Sequence, residues 1–289
     1  MHRLSFLPLT AVSIVSVSLT AHQDSGSGDL AATLTRVGHQ VEKYFARTRS
    51  LVCEETVQLQ PLAFNLAPDG QMRQLVYELR VAWEPASDGD DVSTEASVLR
   101  QLLAINGRPP RPKKGEDCLD PRPVSPEPLA MLLPGRRHEY TFTWAGTGHT
   151  DGRASVKLDY RAVGAKPADI TWRDECVSVD LPGRTRGRIW VDALTDDVLR
   201  LDEQLTGMFE FPVPNARRSP GAPSSMMIER ADSSIRYRPV TFHDPDETLM
   251  LPHSIQSLTI IRNAGVPRLR TTQQYSNYRR FLTDARIKP

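Results

Sequence analysis

Hydrolysis through a covalent intermediate needs a Ser or Cys activated by a base, and few residues in this chain are spaced to supply one. No G-x-S-x-G elbow occurs. Cys53 is followed by Glu54 and Glu55, whose charges raise a thiol's pKa and oppose the thiolate. Glu54-Glu55 and Asp202-Glu203 are the nearest approaches to a glycosidase carboxylate pair. Neighbours on a strand point to opposite faces, so neither pair can converge on one bond. His22, His39, His138, His149, His243 and His253 are scattered, with no H-x-x-x-H spacing for a metal. The densest polar cluster, His243-Asp244-Pro245-Asp246-Glu247, reads as a cation site or as an exposed turn bent by Pro245, and the turn chemistry favours the turn. The acidic stretch 86–95 lacks the D-x-D-x-D-G spacing of a calcium loop. Arg184, Arg186 and Arg188 could hold an anion. Arg supplies 30 of the 36 cations, however, so basic clusters arise without function, and this one reads as a solvated lead-in to a strand. No catalytic residue, metal ligand or cofactor site is assigned, and the chain is expected not to be an enzyme. A hydrolase assembled from distant residues stays as the third reading.

The elements that would position any site start with an address. Residues 1–21 place Arg3 before an uncharged apolar run and end on small residues at Ala21, the pattern of a secretory signal peptide cleaved near that point. An uncleaved anchor is the alternative, and Pro8 and the shortness of the run argue against it. No later stretch is long and apolar enough to span a bilayer. A periplasmic or secreted location follows, and an oxidising compartment favours disulfides. Cys118 sits in a Pro-rich loop, Cys176 in a strand-like run and Cys53 in another. Three pairings are possible. Cys118–Cys176 is the favoured one, because a bridge commonly tethers a loop to a strand, and Cys53 is left over. With 36 basic against 35 acidic residues, the chain has no global field to hold nucleic acid.

Residues 22–28 are polar and rich in Gly and Ser, and are expected to be a flexible leader, with Asp29 capping a helix. Leu30, Leu34, Val37, Val41 and Phe45 then recur at helical spacing. Beyond residue 50 the period shifts toward two. Strands are expected at 51–60, 72–84, 137–145, 153–163, 170–180, 186–193, 197–206, 227–243, 254–263 and 268–281, while 97–105 fits either helix or strand. The insertion 108–135 is punctuated by Pro and holds a short helix at 126–133. The segment 211–223 is too rich in Pro for regular structure. Neighbouring strands with short turns pair antiparallel. The expected fold is therefore one mainly β domain over 29–283: a large curved antiparallel sheet or half-open barrel, an N-terminal amphipathic helix and a short Pro-rich or helical plug.

One hairpin carries a resemblance. Gly187, Ile189, Trp190, Val191, Asp192, Thr195, Val198 and Leu201 resemble the strand-turn-strand pattern of the periplasmic lipoprotein-carrier superfamily (LolA, LolB and RseB types). The whole chain also resembles an uncharacterised family of secreted bacterial proteins. The resemblance implies a half-open sheet with a helix in its concavity and binding of lipid, acyl chains or a lipoprotein. It transfers no binding residue. Two function classes stand beside the hydrolase. The first is a non-catalytic carrier or sensor of an apolar ligand, whose cavity Trp83, Trp144, Trp172 and Trp190 would line, unless those rings fill a closed core instead. The second is an envelope interaction module that docks a protein partner through its Pro-rich loop and Arg-bearing strands.

Overall fold

Period-two segments that are joined by tight turns have one economical arrangement, a meander, and the computed structural model forms a large one. It describes residues 26–48, 50–83, 96–110, 118, 127–173, 176–218, 220–243 and 246–280. Helix α1 spans Gly26–Arg47. The strands are β1 Ser50–Pro61, β2 Arg73–Trp83, β3 Ala96–Ile105, β4 Tyr140–Thr150, β5 Arg153–Ala162, β6 Asp169–Arg173, β7 Cys176–Asp180, β8 Thr185–Asp192, β9 Val198–Leu205, β10 Phe209–Pro212, β11 Ser225–His243, β12 Asp246–Arg262 and β13 Arg268–Arg280. Short 3-10 helices lie at Glu127–Leu132, Arg137–Glu139 and Asn215–Arg217. Residues 1–21, where a signal peptide is expected, lie outside the described residues.

The main sheet has the order β3-β2-β1-β13-β12-β11-β9-β8-β5-β4, with β10 added on β11 and every pairing antiparallel. It is open, with β3 and β4 at its two edges. The chain must therefore cross from one edge to the other after β3, and the Pro-punctuated insertion makes that crossing. Curvature comes from β11 and β12, paired from Met227–Arg262 to His243–Asp246 with register shifts at Ile228/Arg230 and Arg236/Tyr237. Such bulges bend and twist long strands. The β4–β5 turn uses Asp151 (φ 50) and Gly152 (φ 81), the two left-handed positions of a type I′ hairpin.

One face of the sheet is apolar. Leu158, Ile189, Val191, Leu201, Ile235 and Ile255 alternate inward along their strands and are buried. Helix α1 covers them with Leu34, Val37, Val41 and Phe45, and the 127–132 helix adds Leu129 and Leu132. Full burial of each such side chain contributes roughly 1.5–3 kcal/mol. Polar ties fix α1 to the β8–β9 turn. Arg36 pairs with Asp196 at 3.1 Å and Gln40 donates to Asp197 at 2.7 Å. Cys118 and Cys176 are bridged, with Cα atoms 5.0 Å apart, and Cys53 is free and buried.

Several expectations change. The helix begins at Gly26, so 26–28 are helical rather than leader and Asp29 lies within the first turn instead of capping it. An apolar stripe marks the packed part of a helix and not its first free turn. Segment 97–105 is a strand, and the short helix expected at 126–133 is a 3-10 helix over Glu127–Leu132. The expected strand 170–180 is two, β6 and β7, paired with each other as a separate hairpin. Segment 211–223 is not wholly irregular: its first two residues end β10, which pairs only with β11 and so tolerates Pro212 at its end.

Candidate functional site

The hairpin pattern of Gly187 to Leu201 is explained by packing. Gly187 faces Tyr160 on β5 and Glu203 on β9. A Cβ at Gly187 would stand 1.9 Å from the Asp202 carbonyl oxygen and 2.8 Å from the Tyr160 ring, so the position is closed to any side chain. Ile189, Val191 and Leu201 point to the core. Asp192 is buried, pairs with Arg153 at 2.6 Å and accepts the backbone N–H groups of Leu194 and Thr195. These residues build a turn and a packed sheet face.

Two polar islands interrupt the apolar face. Glu55 is fully buried on β1. It accepts from Arg100 Nε at 2.8 Å, Gln273 Nε2 at 2.8 Å and Tyr275 Oη at 3.3 Å. The Arg100 guanidinium lies 3.7 Å from the centre of the Tyr77 ring. The second island joins Tyr160 Oη to Glu203 at 3.0 Å. Burial raises the Glu203 carboxyl above its usual range, and hydrogen bonds from Tyr160 and Thr185 offset part of that rise. Both glutamates belong to the Glu-Glu and Asp-Glu pairs of the sequence. As strand geometry requires, their neighbours Glu54 and Asp202 face the other way, and Asp202 pairs with Arg200 at 2.6 Å. Cys53 lies beside the first island. Burial, then the Glu55 charge, pushes its thiol up to about 12, which leaves it a poor nucleophile.

The face turned away from α1 is polar and holds a groove of about 1080 Å³ that crosses β4, β5, β8, β9, β11 and β12. Its floor follows one transverse row of register partners: Thr143, Asp159, Arg188, Asp202, Ser234 and Gln256. Asp159 and Arg188 form a two-pronged pair at 2.5 and 2.9 Å.

The three tryptophans with described side chains do not converge. Trp144 packs against the main core. Trp172, on the β6–β7 hairpin, lies 6.5 Å from Phe211, with the Arg217 guanidinium 5.7 Å from its ring. Trp190 lines the outward groove under Arg200, at 4.6 Å. Trp83 ends β2, and its side chain lies outside the described residues. The chemistry noticed in the cluster at 243–247 resolves to a strand end. His243 and Asp246 are paired in register, 3.6 Å apart and almost wholly exposed, with residues 244–245 outside the described set. Among the described residues, no three His, Cys, Asp or Glu side chains gather as metal ligands. The islands and the groove escaped the sequence reading because they are made by register across strands. An inward Glu in an apolar alternation, such as Glu55 between Cys53 and Val57, is the one local signal that pointed to them.

Set against known proteins, no family model matches the chain, and no curated protein does. Among solved structures it is similar to several, three of which follow. A putative outer membrane lipoprotein-sorting protein domain from Vibrio parahaemolyticus is 9% identical, covering 88% of this chain and 93% of that one at a TM-score of 0.40. A DUF1329 family protein from Desulfovibrio piger is 10% identical, covering 89% and 94% at 0.41. A LolA superfamily protein from Nitrosomonas europaea is 10% identical, covering 89% and 97% at 0.35. At such identities and TM-scores the likeness carries no argument, and the fold stands on the strand order and pairing above.

Proposed function

We propose that this chain is an exported, non-catalytic binding protein of the cell envelope that carries or senses a lipid, acyl chain or lipoprotein on its apolar sheet face. One observation supports the reading above others. Among the described residues, the apolar face of the main open sheet is covered by α1 and the 127–132 helix. The cover is a small, separable unit. Gly38 of α1 lets the 127–132 helix approach closely: a Cβ there would come within 3.0 Å of the Leu132 carbonyl oxygen and 2.3 Å of Arg137 Nη2. Arg137 also donates to Leu132 at 3.2 Å. An acyl chain that replaced this cover would meet the same Leu, Ile and Val surface that the cover now buries. The Cys118–Cys176 bridge fits an oxidising compartment. Among the described residues no helix is long and apolar enough to cross a membrane.

The test is native mass spectrometry of protein purified from its own envelope, with lipid extraction, repeated on Gly38→Val. Retained lipid, and stronger binding of an acyl probe by the variant whose cover is loosened, are expected. Purified protein and variant that both retain no lipid and bind no acyl probe would overturn the reading.

A further inference from the structure

We propose that the groove on the face away from α1 binds an anionic saccharide, with Arg161 and Arg186 taking its oxyanion group and Trp190 its ring. Arg161 on β5 and Arg186 on β8 are direct register partners and both are exposed. Like charges directly opposite each other across a strand pair destabilise it. Elsewhere in the groove each aspartate already holds an arginine: Asp159 with Arg188, Asp202 with Arg200, and Asp232 with Arg230. Neither Arg161 nor Arg186 has an acidic partner among the described residues. The three aspartates of the groove are therefore paired in place, its Glu203 accepts from Tyr160, and Arg161 and Arg186 adjoin at one end as guanidinium groups beyond those pairs, with Arg270 a third further along the lining. Guanidinium forks match carboxylate, sulfate and phosphate oxygens.

The other end of the groove favours a sugar over a bare ion. Trp190 is four residues beyond Arg186 on the same strand face, or about 13 Å at the usual strand rise. The Trp190 indole points away from the core, carries the Arg200 guanidinium 4.6 Å from its centre and stays partly exposed in the groove. Between the two ends lie hydroxyl, amide and paired carboxylate groups, among them Thr143, Ser234 and Gln256, which can exchange hydrogen bonds with sugar hydroxyls. A short anionic oligosaccharide fits this order of cation pair, polar floor and aromatic platform. The groove is on the opposite side of the sheet from the proposed lipid face, so the two readings stand or fall separately.

The experiment titrates the mature chain with trigalacturonate, sulfated maltotriose, neutral maltotriose and inorganic phosphate, reading tryptophan fluorescence and calorimetry. Anionic trisaccharide binding is expected to weaken with salt, to change the Trp190 signal and to lose that signal in Trp190→Phe. The double variant Arg161→Gln/Arg186→Gln should bind the anionic probe about tenfold or more weakly. Its unfolding midpoint should match or exceed the parent's, because a repulsive pair is gone. Four results would each overturn the proposal: no binding of either anionic trisaccharide, unchanged affinity in the double variant, inorganic phosphate binding as tightly as the trisaccharides, or anionic phosphatidylglycerol vesicles binding where the trisaccharides do not.

Discussion

Tyr160 reaches over Gly187 to donate a hydrogen bond to Glu203, so that three adjacent strands are tied by one side chain lying across a missing one. Glu203 as a whole is only partly covered, while its carboxyl end is the buried part. Burial raises that carboxyl above its ordinary value of 4.5. The folded state thus holds the proton more tightly than the unfolded chain does. The associated stability is fully present below the unfolded carboxyl's pKa and is lost as pH rises through the folded one. Glu203→Gln keeps an acceptor for Tyr160 and removes the titration. Its stability relative to the parent should increase between pH 4 and pH 8 in urea unfolding, and an equal difference at both would contradict the assignment.

Gly187→Ala should be poorly tolerated. The new methyl meets backbone oxygen and the Tyr160 ring at once, and strands β8 and β9 cannot part without losing their pairing. A loss of about 1–3 kcal/mol is expected from such overpacking, read from denaturant midpoints. A neutral substitution would mean that the two strands sit further apart than described.

Removing one partner of the Glu55–Arg100 pair leaves a buried charge uncompensated. Glu55→Ala should cost about 3–5 kcal/mol. Glu55→Leu combined with Arg100→Met should cost clearly less than the two single changes added together. Additivity in that double-mutant cycle would show that the two side chains do not act on each other.

Cys53 should resist alkylation by iodoacetamide at pH 8 in the folded protein, since burial and Glu55 hold its thiol up to about 12. Unfolding without reductant should expose one reactive thiol per chain. Rapid labelling of the native protein would place Cys53 nearer the surface than its burial indicates.

The Cys118–Cys176 bridge closes a loop across a sequence separation of 58. Replacing both cysteines with Ser should lower stability by about 2–4 kcal/mol. The apolar cover should loosen with it, seen as increased binding of a fluorescent apolar dye. Unchanged dye binding would separate the bridge from the cover.

Much of the frame was readable because it repeats locally. Ile189 and Val191 alternate with Arg188 and Trp190, and Leu34, Val37, Val41 and Phe45 mark one helix face, so each element announces its buried side. The reversal between Arg173 and Cys176 was not readable. Ile170 and Trp172 fall on even positions and Val177 and Val179 on odd ones, so the only mark of the bend is a change of phase in one apolar run, with no Gly, Asn or Pro beside it. β10 was hidden by the prolines beside it. The groove was illegible for a different reason. Arg161 and Arg186 are ordinary basic residues until the register of β5 on β8 sets them face to face, and no short-range pattern encodes that register. The tryptophans misled because their type suggests a common cavity, whereas strand parity sends Trp144 and Trp190 to opposite faces.

The bridge also divides the cover into two unequal parts. Cys118 lies in the segment that joins β3 to β4, and Cys176 opens β7, the second strand of the β6–β7 hairpin. The covalent ring between them contains the 127–132 helix, whereas α1 lies outside it at the start of the chain. A disulfide persists only where the surroundings are oxidising, so the redox state of the surroundings decides whether this ring is open or closed. With the bridge open, the 127–132 helix is held by packing and hydrogen bonds alone; with it closed, a covalent ring also ties its segment to the β6–β7 hairpin, while α1 keeps only its packing and its polar ties to the β8–β9 turn. The same sequence thus gives a cover held by non-covalent contacts where thiols stay reduced and one half anchored by a covalent ring where they are oxidised.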